Sequence, residues 1–121
     1  MIFSHAEHLA AAIVSVLESK GYEKGEILMI STVGMPMGLE LIRDGWLQAT
    51  IDFPTIECVE GVVNFLDDII NKREIKPGKY NIAGVESELT IQPYGPEILH
   101  PGKPITEENV NDPELWGNQV E

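Results

Sequence analysis

Residues 26–53 read EILMISTVGMPMGLELIRDGWLQATIDF, and their order decides the fold class. Glu26 to Val33 is a nearly continuous apolar run, the pattern of a strand covered on both faces. Gly34-Met35-Pro36 turns the chain, and Pro36 suits the first position of a following helix. Met37 to Arg43 then makes a short helix, with Leu39, Ile42 and nearby Trp46 as its apolar side, stopped by Asp44-Gly45. Leu47 to Phe53 returns to a strand. Strand, helix, strand over so short a stretch predicts a β-α-β crossover and a parallel pair.

The flanks extend the alternation. Met1 to Ser4 suits the end of a strand. From about Ala6, Leu9, Ile13, Val16, Leu17 and Lys20 follow helical steps, Ala10 to Ala12 favour the helix, and Gly21 suits its C-terminal cap. After Pro54, Thr55 is placed to cap a long amphipathic helix through Lys72. Its apolar residues Ile56, Val59, Val63, Leu66, Ile69 and Ile70 fall on one face. Lys72 and Arg73 stand at its end, as the helix dipole prefers. Tyr80 to Ala83 and Glu88 to Gln92 read as short strands. Pro93, Pro96, Pro101, Pro104 and Pro113 make the remainder mostly loop, with one helical turn capped by Thr106. The prediction is an α/β chain with a parallel doubly wound sheet. Residues 1–95 carry the lobe and residues 96–121 form a Pro-rich C-terminal tail.

Composition narrows the function. The 121 residues are 43% hydrophobic and 23% charged, an ordinary globular balance. Eight Lys and Arg against twenty Asp and Glu give a net charge of −12. That charge argues against nucleic acid as a partner and against docking on an anionic membrane. The longest apolar run, Leu9 to Val14, falls far short of the ~18 residues of a spanning helix. Cys58 is the single cysteine, so neither an internal disulfide nor a multi-cysteine metal site is available. The opening MIFSHAEHLAAAIV lacks the basic start of an export signal, which places the chain, taken alone, in the cytoplasm.

Four stretches in order resemble the C-terminal part of sugar-type periplasmic solute-binding proteins, the ribose and galactose class of ABC-transporter receptors. They are Ile2-Phe3-Ser4 before a helix, Glu26 to Pro36 (EILMISTVGMP), Leu41 to Ile51 (LIRDGWLQATI) and Ile105 to Val110 (ITEENV). The likeness covers about residues 1–110. It implies part of a periplasmic-binding-protein type 1 lobe, with C-terminal strands crossing a hinge and the helix after Phe53 belonging to another lobe. It implies non-catalytic binding of a sugar or sugar-like solute, no cofactor, and a membrane permease as the partner of the full-length receptor. The location would then be the periplasm or the outer face. A homodimer or pairing with a missing lobe would cover the incomplete sheet. An effector-binding domain of a lactose-repressor-type regulator shares the fold and is the alternative, as is a truncated remnant without ligand.

In that family the solute lies at the carboxyl ends of the strands. Aligning the segments carries the family's Asn onto Ala6, its neighbouring Asp onto Glu7, the Asp of the glycine-rich turn onto Val33, and the final Gln or Asn onto Phe53. With a one-residue shift Asp52 replaces Phe53. With His5 and Gly34 these positions, His5, Ala6, Glu7, Val33, Gly34, Asp52 and Phe53, form the expected ligand-binding set. Three lost polar contacts point to a less hydroxylated ligand, or to none, since each neutral hydrogen bond contributes about 0.5–1.5 kcal/mol.

Other residues invite weaker readings. His5, Glu7 and His8 have a spacing that could hold a metal, but no third ligand is near and His100 is distant. A solvated helix start beside a cleft accounts for them. Gly34-Met-Pro-Met-Gly38 has the wrong spacing for a phosphate loop. Glu57/Glu60 and Asp67/Asp68 read as a solvated helix face rather than an acid–base pair. Cys58 reads as a small, partly buried hydrophobe without a partner histidine. Trp46 and Trp116 read as packing residues. No catalytic constellation survives, so the chain is not expected to be an enzyme.

Overall fold

A computed structural model describes residues 1–100 and 102–120; Pro101, read as loop, and Glu121 lie outside them. The chain divides into two units, Met1–Phe53 with Gly102–Glu121, and Pro54–Pro101.

The first unit contains β1 (Ile2–Phe3), α1 (Glu7–Ser19), β2 (Met29–Ile30), α2 (Pro36–Arg43) and β3 (Thr50–Asp52). A late strand, Lys103–Ile105, and a turn of 3-10 helix, Trp116–Asn118, return to this unit. Ile2 pairs with Met29 and Phe3 with Ile30, in parallel. Isolated parallel bridges join Ile30 to Ala49 and Val33 to Asp52, so β1, β2 and β3 lie side by side in chain order. Strand Lys103–Ile105 then pairs antiparallel with β3, Thr50 opposite Ile105.

Packing explains which predicted faces are used. On α1 the buried residues are Glu7, Ala10, Val14 and Leu17, whereas Leu9 and Val16 are about half exposed. The buried stripe is therefore rotated from the expected Leu9–Ile13–Val16 line. Ala10 has almost no side chain, which lets α1 come close to its neighbours. Gly21 caps the helix as expected at φ +81°, with Tyr22 N–H bonding back to the Leu17 carbonyl at 3.1 Å. Ala10, Val14 and Leu17 join Leu39 and Ile42 of α2, Met29, Trp46, Leu47, Ile105, Val110 and Leu115 in one core. Because α1 and α2 pack on each other against that core, they share one side of the sheet. The observed class is accordingly a small mixed α/β arrangement, with parallel strands in chain order and an antiparallel closing strand.

The second unit begins with α3 (Thr55–Ile70), whose N-cap is Pro54 rather than Thr55 and which stops at Ile70, short of Lys72. Three antiparallel strands follow in order: β4 (Gly78–Ile82), β5 (Val85–Gln92) and β6 (Gly95–Ile98). The strand Lys103–Ile105 is therefore β7. Ala83 and Gly84, both at positive φ, form the tight connection between β4 and β5. Glu60 of α3 accepts the Ala83 N–H at 2.9 Å, and Phe65 meets Tyr80 edge-on with ring centroids 5.0 Å apart. Ile82, Ser87 and Leu89 are its buried residues among those described. No residue of α3 is buried. Among the described residues, no helix is long and apolar enough to cross a membrane.

Candidate solute site at the strand ends

Parallel strands send their carboxyl ends, and the turns that follow, to the same edge of the sheet. β1, β2 and β3 do so with Ser4 to Glu7, Ser31 to Gly34, and Asp52 to Phe53. Hydrogen bonds tie these turns together. The Ser4 hydroxyl donates to the Ala6 carbonyl at 2.7 Å, and the Thr32 hydroxyl donates to the His5 carbonyl at 2.5 Å. Val33 N–H donates to the Ile51 carbonyl at 3.1 Å, and Phe53 N–H donates to the Val33 carbonyl at 3.0 Å.

Glu7 is the hub. Its carboxylate is fully buried, and Oε1 accepts the Gly34 N–H at 2.9 Å together with the Thr50 hydroxyl. Oε2 has no hydrogen-bond partner among the described residues. A Cβ on Gly38 would overlap the Glu7 side chain, so only glycine lets α2 close over it. One carboxylate thus joins the start of α1, the turn after β2 and the start of β3. Sealed in this way, Glu7 positions the site and does not line it.

Each remaining expected residue has a definite place. Ala6 is buried and extended as the N-cap of α1, and His5 beside it is exposed. Val33 stands at φ +107°, a backbone region that a β-branched residue enters only when neighbours hold it there. The neighbours are visible: its N–H is bonded to Ile51 of β3, its carbonyl accepts from Phe53 just beyond β3, and Trp116 Nε1 donates to the same carbonyl at 2.9 Å. Gly34 follows at φ +76°, packed against Asp52. Asp52 is half-buried, and Phe53 is 48% exposed.

Trp116 and Thr50 belong to this site although the sequence reading gave them no such part. Trp116 sits 83 residues from Val33 along the chain, and its contact depends on how the C-terminal segment returns. Arg43 anchors that segment. Its Nε donates to Asn111 Oδ1 at 2.9 Å, and Nη2 donates to Asn118 Oδ1 at 2.7 Å and to the Val110 carbonyl at 3.1 Å.

Among the described residues no group of three His, Cys, Asp or Glu is placed to hold a metal, and His100 lies in the other unit from His5 and His8. The second unit has a cavity of about 400 Å³, lined by Cys58, Val62, Phe65, Ile69, Leu89 and Ile98, with Glu57 and His100 also contributing. Its lining is mainly apolar, and Cys58 in it is half-buried.

No protein-family model and no curated protein matches this chain.

Proposed function

We propose that the chain binds a small sugar or sugar-like solute without transforming it, as the C-terminal part of an ABC-transporter solute receptor of the periplasmic-binding-protein type. The observation that carries this reading is the gathering of three turns at the carboxyl ends of β1, β2 and β3, braced from beneath by Glu7. Phe53 offers an exposed aromatic face for the apolar side of a sugar ring. His5 and Asp52 supply polar groups for hydroxyls, Ala6 and Val33 form apolar walls, and Gly34 keeps the turn narrow. The chain passes into the second unit directly after Phe53 and returns before Lys103, so the two units are joined by two crossings of the chain. In such a receptor the permease is the partner, and the working location lies outside the cytoplasm.

The test is isothermal titration of the 121-residue chain with aldoses, deoxy sugars, polyols and less polar solutes. Saturable binding by one class, weakened at least about tenfold in Phe53→Ala, is the expected result. Absence of both heat and thermal stabilisation across the panel would reject the proposal.

A further inference from the structure

The cavity of the second unit lies between α3 and the β5–β6 pair. Cys58, Val62, Phe65 and Ile69, at steps of four, three and four, line it from one face of α3. Leu89 and Ile98, cross-strand partners on β5 and β6, line it from the sheet. No residue of α3 is buried, so helix and sheet do not fill the space by their own packing. At about 400 Å³ it is far larger than the voids of a packed interior and falls in the range of small-molecule sites. Leu89 is buried, whereas Val62 and Ile69 are more than half exposed, which leaves a side open for entry.

The polar groups on this wall select the ligand. Glu57 is the only Asp, Glu, Lys or Arg among the lining residues, and among the described residues it has no ion-pair partner. A carboxylate beside an apolar space attracts a cation and repels an anion, and the chain's charge of −12 adds the same bias. His100, with Nδ1 3.5 Å from the Ser87 hydroxyl, adds a second polar group.

We propose that this cavity binds a small hydrophobic amine, an organic cation with one aromatic ring or a medium alkyl chain. Its ammonium meets the Glu57 carboxylate and its apolar body enters the space between α3 and the sheet. Glu57 is half-buried, so the ammonium keeps part of its hydration while the body leaves water. A fully buried pair would lose most of its Coulombic gain to desolvation. Affinity therefore comes mainly from apolar burial, and selectivity from charge. All the lining residues belong to the second unit, and the site is independent of the solute edge in the first.

The experiment is isothermal titration of the full chain with 2-phenylethylamine, 2-phenylethanol and 3-phenylpropionate, three probes alike in body and different in head group. One-site binding of the amine is expected, at least about tenfold tighter than either of the others. Glu57→Gln, at a half-buried position, should weaken the amine about fivefold and leave the alcohol unchanged. Cys58 reports the location, because it lines the cavity. Near saturation the amine should slow the reaction of Cys58 with a neutral aromatic disulfide at least about tenfold. No heat and no protection of Cys58 at about 5 mM amine would overturn the proposal. So would an alcohol that binds as tightly as the amine, amine binding indifferent to Glu57→Gln, or amine binding that leaves the reactivity of Cys58 unchanged.

Discussion

Glu7 decides how the strand-end turns are held. A buried carboxylate is retained only where it serves several donors, and here Oε1 serves both Gly34 and Thr50. Glu7→Ala would leave both donors unsatisfied and open a void under Gly38. A loss of about 2–4 kcal/mol in urea denaturation is expected. Glu7→Gln keeps an acceptor at the Oε1 position and should lose less than half as much. Equal losses for the two substitutions would show that the site requires the negative charge itself, and not merely an acceptor of that size and shape. Glu7 was expected to contact solute because the family resemblance carries an Asp onto that position. Its burial depends on Gly38 and Thr50, which are remote in sequence, and no local pattern announces that.

At the scale of elements, the C-terminal segment is held by one side chain. Arg43→Met keeps the aliphatic stem but removes the bonds to Asn111, Asn118 and Val110. A cost of about 1–3 kcal/mol is expected, and hydrogen exchange should accelerate at Val110 and Asn118 while α1 stays protected. The β5–β6 turn gives a pH-dependent test. Tyr94 donates to Glu97, which raises the Tyr94 phenol above its ordinary value of 10.0. A raised folded value means that the contact is intact below pH 10 and is lost as pH rises through the higher folded value. Tyr94→Phe should therefore remove a phenol ionisation that lies above the ordinary range from an ultraviolet titration. The three α-helices and the parallel strands were legible because their apolar periods and Gly or Pro boundaries are local. β6 and β7 were not. Pro96 and Pro104 read as loop, yet each sits in a strand paired on one side only, where a missing N–H leaves no ladder bond unmade.

For the whole molecule, burial is uneven. The first unit has a core running from Ala10 to Leu115, whereas the described residues of the second bury little beyond Ile82 and Leu89. Regions with few buried apolar contacts open at lower free energy. Amides of β4 and β5 are therefore expected to exchange at least about tenfold faster than those of α1, as read by mass spectrometry of peptide fragments. Equal protection would mean that the units unfold as one. The antiparallel register of β3 and β7 puts Asp52 opposite Lys103, the geometry of a hairpin whose bend happens to be an entire folded unit. During synthesis the ribosome must therefore deliver the whole second unit before the first can close its sheet. Recombinant design gains from the same feature: a gene that joins Asp52 to Lys103 through Asn-Gly would encode the first unit alone, without Phe53 and without α3.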